Sequence, residues 1–202
     1  MTGALVALNV AVFALWHTVG RSAEGRAFLV ENFLVSVGSI QRPWTLLLAE
    51  FSHVASVHLL FNMVALWSFG RAVEIALGPR RLLSLYVMGG VIASLGHVVY
   101  GLVIGAHAPA LGASGAVSAI AVVFAGMFPR ARLYLNFIIP LPAALAVGLF
   151  LLIDLFGVLN PRPDMIAHAA HLGGAFYGFL YWMLAVRSHQ RRYDTALEGP
   201  PL

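Results

Sequence analysis

Long apolar runs separated by short charged segments dominate the sequence. Uncharged stretches of 20 to 22 residues cover 51–70, 133–153 and 165–186, and one longer uncharged run covers 82–129. About 20 apolar residues are enough for one helix across a bilayer, so each shorter stretch predicts one span and the long run predicts two. Residues 3–19 predict one more. The pattern therefore predicts six membrane-spanning helices, numbered one to six in chain order.

Turn-forming residues divide the long run and mark the predicted loops. Glycine and proline residues between 105 and 113 predict a short loop there, with helix three before it and helix four after it. The outer loop over 20–51 is long and carries many apolar side chains, so we expect it to be structured and partly embedded in the membrane interface.

These elements predict an all-α fold, a polytopic integral membrane protein with six transmembrane helices. The membrane domain is expected to cover residues 1–187. Residues 188–202 have no hydrophobic period and are predicted to form a cytoplasmic, disordered tail.

Composition supports a membrane protein and excludes several other classes. The chain is 60% hydrophobic and 10% charged, with a mean hydropathy of +0.88. It has no cysteine, which excludes disulfides, a thiolate nucleophile and cysteine-based metal sites. No basic cluster is interleaved with aromatic residues, so nothing indicates a nucleic-acid partner.

The distribution of arginine predicts the orientation in the membrane. All twelve basic residues are arginine, and the six predicted spans place eight on one side and four on the other. By the positive-inside rule, both termini are expected in the cytoplasm. The eight are Arg71, Arg80, Arg81, Arg130, Arg132, Arg187, Arg191 and Arg192, and the four are Arg21, Arg26, Arg42 and Arg162.

Polar side chains that hydrocarbon cannot satisfy lie in helices two, four and six, and such groups are functional candidates by default. These three helices run in the same direction, so groups near their starts share the outer half of the bilayer. The candidates are His53, His58, Asn62, Ser114, His168 and His171.

Ser114 and His171 predict a nucleophile and its general base. A serine hydroxyl needs a neighbouring base to accept its proton, and a neutral imidazole is the usual base near pH 7. His58 and Asn62, on one helical face, and the backbone N–H of Ser114 are the expected oxyanion donors. Asp154, near the outer end of helix five, could in principle orient His171. An aspartate so close to a helix end more often hydrates at the interface, so we do not include Asp154 among the predicted catalytic residues.

Small residues predict how helices four and six approach each other. Gly174 and Gly178 follow His171 on its own face and form a small-xxx-small seam. We expect this seam to hold the serine and the imidazole together. His53 and His168 are expected to brace the site without taking part in the chemistry.

Three strings in this order on alternate helices resemble the rhomboid family of intramembrane serine proteases. They are His58-Leu-Leu-Phe-Asn62, Gly112-Ala113-Ser114-Gly115 and Ala170-His171-Leu172-Gly173-Gly174. Phe51-Ser52-His53, Leu66-Trp67-Ser68-Phe69 and His168-Ala-Ala-His171 look most like the mitochondrial presenilin-associated rhomboid-like branch.

The resemblance implies a six-helix rhomboid-like membrane domain with a Ser–His dyad at Ser114 and His171. It also implies oxyanion donors at His58 and Asn62, and a lateral gate formed by helix five and the first outer loop. The implied activity is cleavage of single-span membrane proteins near the outer face. The partners are then a transmembrane protein substrate and the lipid bilayer, with no metal or cofactor.

The chain departs from the family pattern at two places. Many bacterial members carry an aromatic residue four positions after the nucleophile, where it stacks on the catalytic imidazole, and here that residue is Ser118. The usual Trp-Arg dipeptide of the first loop is replaced by Arg42-Pro43-Trp44. The mitochondrial branch has an additional helix before the core and this chain starts at helix one, so we expect a prokaryotic plasma membrane.

Three other functions compete with proteolysis. Four histidines, His53, His58, His168 and His171, could converge on a metal or haem, but no carboxylate partner accompanies them in the sequence pattern. A non-catalytic rhomboid-fold protein that binds or escorts membrane clients is the main alternative, although such relatives typically lack the serine or the histidine. A transporter is not favoured, because there is no visible inverted repeat. The substrate and the oligomeric state stay open.

Overall fold

The computed structural model describes residues 1–135, 139–161 and 167–187. Within these ranges the chain forms helices joined by short turns, together with one two-stranded antiparallel sheet. The helices are α1 (Thr2–Thr18), α2 (Ala23–Phe33), α3 (Thr45–Leu48), α4 (Ser56–Ala65), α5 (Arg71–Leu77), α6 (Pro79–Ile104), α7 (Ser114–Met127), α8 (Ala143–Leu159) and α9 (His168–Tyr181). The strands are β1 (Arg132–Leu135) and β2 (Ile139–Pro142).

Among the residues that the structure describes, six helical stretches have the apolar character of a membrane bundle. Four are long enough to cross a bilayer, namely Thr2–Arg21, Ser56–Leu77, Pro79–Ile104 and His168–Val186. The helices α7 and α8 are also apolar but shorter. The prediction of a helical, polytopic membrane protein is therefore confirmed. The predicted tail over 188–202 lies outside the described residues.

The second span is displaced towards the C-terminus relative to its prediction. It begins at Ser56 rather than at 51, and a π-helical turn over Leu66–Gly70 joins α4 to α5 so that the helix continues to Leu77. The connection from this span to α6 is a sharp turn at Gly78, whose φ of +89° favours glycine. An arginine at the end of a span can extend its charge to the interface, so Arg71 did not mark the end of the helix.

The fifth span differs most from its prediction. The sequence predicted a helix over 133–153, whereas a β-hairpin occupies the first part of this stretch and α8 runs from Ala143 to Leu159. Pro140 and Pro142 explain the late start, because proline lacks the N–H group of a helix interior and its ring clashes with the preceding turn. The later end places Asp154 inside α8 rather than near its boundary.

The first outer loop is structured, as predicted. It contains α2 and α3, and Ser22 caps α2 by accepting a hydrogen bond from the backbone N–H of Gly25. Backbone hydrogen bonds of 2.9 and 2.8 Å between Val35 and Ala110 tie this loop to the 105–113 loop. The two outer loops therefore form one connected layer above the helices.

The centre of the bundle is formed by α6, α7 and α9, which pack closely on one another. α8 lies against α9 and α7, and α1 packs beside the π-helical turn that follows α4. Glu74 accepts hydrogen bonds from the backbone N–H and the hydroxyl of Thr2, at 3.0 and 2.7 Å, and lies 3.6 Å from Arg71. Arg71 and Glu74 thus form an ion pair, and Glu74 also holds the start of α1.

Candidate active site

The side chains of Ser114 and His171 meet where α7 and α9 begin. His171 Nε2 lies 2.8 Å from Ser114 Oγ. Ser114 is the first residue of α7, and no side chain caps this helix. The hydroxyl of Ser114 is therefore engaged by an imidazole, which separates it from the serines that serve only as helix caps.

Asp154 lies on the other side of the imidazole. Its Oδ1 atom is 2.9 Å from His171 Nδ1 and 2.8 Å from His168 Nδ1. Asp154 is buried, with 7% of its surface exposed. A hydrogen bond from Nδ1–H to the carboxylate leaves Nε2 of His171 with the lone pair that a general base needs, directed at Ser114. The three side chains can therefore act as a serine–histidine–aspartate triad.

Sequence reasoning did not include Asp154 among the catalytic residues because it placed the end of the fifth span at 153. In α8, Asp154 lies more than one turn before the last helical residue, Leu159, and on the face that packs against α9. An aspartate inside an apolar membrane helix, with 7% of its surface exposed, needs protein partners. The prolines at 140 and 142 were the signal that could have moved the helix and revealed this residue.

His168 shares the Asp154 carboxylate with His171. The two rings are nearly perpendicular, with centroids 6.5 Å apart. The ligand atoms of Asp154, His168 and His171 lie within 4.8 Å of one another, so these residues could also hold a metal ion. The metal hypothesis from the sequence needed His53 and His58 as well, and among the described residues these two belong to a different cluster.

His53 and His58 form that second cluster, beside the loop that precedes the nucleophile. Their ring centroids are 5.0 Å apart. His53 is fully buried and its Nε2 accepts the backbone N–H of Ala113 at 3.3 Å. Burial, aided by the neighbouring His58, lowers the pKa of His53 to about 4, so its ring is neutral at pH 7 and can accept this bond. His53 thereby holds the residue next to Ser114.

The His58 ring lies against Gly112. This glycine has a φ of +119°, and a Cβ atom there would be only 2.6 Å from His58 Cε1. Gly112 therefore allows both the backbone turn and the approach of the imidazole to the start of α7. Asn62 is nearly buried, and its Nδ2 donates to the backbone carbonyl of His58 at 3.0 Å. The side-chain amide of Asn62 is therefore hydrogen-bonded within its own helix, α4.

Backbone contact joins the helices that carry the serine and the imidazole. A Cβ atom on Gly174 would lie 2.0 Å from the carbonyl oxygen of Gly115, and one on Gly178 would lie 2.3 Å from that of Ala119. Only glycine leaves room for this approach. The distance between Ser114 and His171 is therefore set by backbone packing of α7 on α9.

We predict that Gly174→Ala destabilises the protein by about 1–3 kcal/mol and, if the chain has the protease activity that the resemblance implies, lowers the cleavage rate at least tenfold, because the added methyl group meets a backbone atom that cannot move aside. Gly148→Ala is the matched control, since nothing lies within 4 Å of a Cβ at that position of α8. Thermal unfolding and substrate cleavage are measured for both variants. Equal unfolding temperatures and equal cleavage rates of Gly174→Ala and Gly148→Ala would contradict the prediction.

Comparisons with known proteins agree with this architecture. A sequence model of the Rhomboid domain matches residues 41–188. RHOMBOID-like protein 12, mitochondrial, from Arabidopsis thaliana is 33% identical over 195 residues, covering 88% of this chain and 56% of the relative. Presenilin-associated rhomboid-like protein A, mitochondrial, from Danio rerio is 33% identical over 180 residues, covering 88% of this chain and 45% of the relative.

A third relative is Rhomboid protein 1, mitochondrial, from Saccharomyces cerevisiae, which is 33% identical over 201 residues, with 96% of this chain and 56% of the relative covered. The chain spans about half the length of the curated relatives that it matches. The matched region includes the residues of both histidine clusters and of the serine site.

Proposed function

This chain belongs to the rhomboid family, and from that premise we propose that it is an intramembrane serine endopeptidase that cleaves single-span membrane proteins near the outer face. The observation that carries the proposal is the hydrogen-bonded chain from Ser114 through His171 to Asp154. A serine, an imidazole and a buried carboxylate in this order are the arrangement that activates a hydroxyl for attack on a peptide bond.

Substrate entry is proposed between α4 and α8. In the described part of the chain these two helices flank the site without extensive contact with each other. Their outward residues, such as Leu60 and Phe61 on α4 and Ile153 on α8, are exposed and suit lipid or a transmembrane helix. The top of the substrate helix must unwind, because a helical peptide bond is shielded from attack.

In the acylation step, Ser114 Oγ attacks the carbonyl carbon of the scissile bond while His171 Nε2 takes its proton. Asp154 holds the Nδ1–H of His171, which fixes the tautomer and stabilises the imidazolium that forms. His171 then gives the proton to the leaving amine, and the C–N bond breaks. The product of this step is an ester between Ser114 and the new carboxyl end of the substrate.

The oxyanion of the tetrahedral intermediate is proposed to bind to His58, Asn62 and the backbone N–H of Ser114. The N–H at the start of α7 has no acceptor within its helix, and His58 lies against the Gly112 backbone nearby. Asn62 would exchange its bond to the His58 carbonyl for one to the oxyanion. Each donor contributes about 3–4 kcal/mol in sites of this kind.

Water from the outer face completes the cycle by hydrolysing the ester. His171 removes a proton from this water and returns it to Ser114 Oγ, which restores the starting state. Ser118 leaves the imidazole without the stacked aromatic of many bacterial family members. The bonds to Asp154 and the perpendicular ring of His168 can supply the orientation that stacking would give.

Client binding without catalysis is less favoured than proteolysis, because it does not require a serine in hydrogen-bond distance of an oriented imidazole. A metal at Asp154, His168 and His171 would have to replace the hydrogen bonds that orient His171, and we propose no metal or cofactor. The relatives are named as mitochondrial, whereas we expected a prokaryotic plasma membrane. The proposed location is therefore either of these membranes, with both termini on the arginine-rich side.

The proposal is tested with the detergent-purified protein and a panel of single-span membrane proteins. Cleavage is followed by gel electrophoresis and the cut site is located by mass spectrometry, with and without a metal chelator. A cut within or beside the membrane span, unchanged by the chelator, is expected. Labelling of Ser114 by a fluorophosphonate, a general reagent for activated serines, is measured in parallel. A folded protein that neither cuts nor labels would overturn the proposal.

A further inference from the structure

A second buried acid lies close to the site and has no part in the mechanism above. Glu50, which follows α3 in the first outer loop, is 2% exposed. Within the described part of the chain, neither of its carboxylate oxygens has a hydrogen-bond partner. A buried polar group without a partner costs free energy, so a carboxyl group in this state is expected to have a ligand in some step of the protein's work.

The position of Glu50 is built into the structure. A Cβ atom on Gly90 of α6 would lie 1.4 Å from Glu50 Oε2, so the carboxyl group occupies the space that this glycine leaves open. The backbone is fixed as well. Tyr86 donates its hydroxyl to the carbonyl of Glu50 at 3.2 Å, and Gly112 donates its N–H to the carbonyl of Ala49 at 2.9 Å.

Glu50 lines the same cavity as the proposed nucleophile. This cavity has a volume of about 20 Å³, and its walls include Ser94, Gly112, Ser114 and Ala170. A space of this size holds about one water molecule, or a side chain of one or two heavy atoms. The cavity adjoins Ser114, where the side chain before the scissile bond of a substrate has to lie, since that residue carries the attacked carbonyl.

We propose that Glu50 is a specificity-determining residue of this cavity, selecting a serine side chain immediately before the scissile bond. The proposal rests on the endopeptidase function proposed above and names the substrate class that this function acts on. The small volume excludes large side chains, and the unpartnered carboxyl oxygens favour a side chain that donates a hydrogen bond over alanine. An ordered water is expected to fill the cavity until the substrate hydroxyl replaces it.

The protonation of Glu50 agrees with this role. Burial raises the pKa of the Glu50 carboxyl to about 9, so the group is neutral at pH 7. A neutral carboxyl group has both an acceptor oxygen and an O–H donor, and a serine hydroxyl can satisfy both. A lysine or arginine side chain would gain no ion pair from the neutral acid and would not fit the volume.

The test starts from a substrate that the wild type cuts in the assay above, with the residue before the scissile bond changed to serine, alanine, valine or phenylalanine. The wild type is expected to cut the serine form about tenfold faster than the alanine form, measured as kcat/KM, because one buried hydrogen bond distinguishes them. The valine and phenylalanine forms are expected to be cut more slowly than either.

Glu50→Met is the informative variant, because methionine has a similar length and no carboxyl group. It is expected to cut the serine and alanine forms at equal rates, so that the preference of the wild type for serine is lost. Glu50→Gln keeps a donor and an acceptor and should retain part of the preference. Gly90→Ala, whose methyl group takes the place of the carboxyl, should lose the preference as Glu50→Met does.

The outcomes separate this inference from the function on which it rests. The role of Glu50 would be overturned if the wild type showed no preference for serine. It would also be overturned if Glu50→Met cut the serine and alanine forms more slowly by the same factor, which would indicate a structural or water-holding group. In either case cleavage and fluorophosphonate labelling of Ser114 would still support the peptidase. If no substrate is cut and Ser114 is not labelled, the proposed function itself has failed.

Discussion

Cleavage by the Ser114→Ala protein is expected to be at least a thousandfold slower than by the wild type. Removal of the hydroxyl leaves no nucleophile for the ester, while the fold is retained because no helix cap is lost. His171→Ala should have an equal effect, and the double variant should be no worse than either single one, because residues that act as one catalytic unit are not additive.

Ser118→Ala is the matched control for this experiment, since Ser118 lies one turn along α7 from the nucleophile. It should cut at a rate within threefold of the wild type. Product formation is measured by gel and by mass spectrometry with a single-span substrate. Cleavage by Ser114→Ala within tenfold of the wild type would exclude Ser114 as the nucleophile and would favour the client-binding alternative.

Asp154→Asn is expected to lower kcat by a factor between about 100 and 10,000 with little change in KM. The asparagine amide has the shape of the carboxyl group, but its NH₂ group can face His171 Nδ1 only if that nitrogen is unprotonated. The proton then moves to Nε2, which faces Ser114 at 2.8 Å and can no longer accept the hydroxyl proton. The loss arises from the wrong tautomer rather than from lost packing.

Asp154→Ala separates orientation from packing. If Asp154 serves only to fill its place in α8, alanine should be far more damaging than asparagine. If it orients His171, asparagine should be at least as damaging as alanine. Thermal unfolding is measured for both variants. If the kcat of Asp154→Asn is within threefold of the wild type, the site works as a Ser–His dyad that needs no carboxylate.

The chemistry of the site was easier to predict than the bounds of the helices that carry it. Ser114 and His171 are polar groups in apolar runs, and the cost of burying them without partners is visible in the sequence alone. The start of α7 at Ser114 also followed directly from the glycines before it. The structure places these two side chains in contact, and their catalytic role stays a proposal.

Asp154 and Glu50 could not be weighed correctly from the sequence. The role of Asp154 depended on the bounds of α8, which the absence of charge over 133–153 misplaced and which Pro140 and Pro142 determine. Glu50 lies in a loop, where a charged residue is ordinarily solvated. Only the packing of that loop against Gly90 of α6, between residues far apart in the chain, buries its carboxyl group.

The three members of the proposed triad are carried by helices with different freedom to move. α7 and α9 touch through backbone atoms at Gly115 and Gly174, so the serine and the imidazole move as one body. Asp154 lies on α8, one of the two helices between which the substrate is proposed to enter. In the proposed mechanism, an outward movement of α8 that admits a substrate also breaks the bond between Asp154 and His171. His171 is then not held as a base while the gate is open, and hydrolysis requires α8 to close over the bound substrate. The proposed mechanism thus couples substrate entry to catalysis through the Asp154 carboxylate.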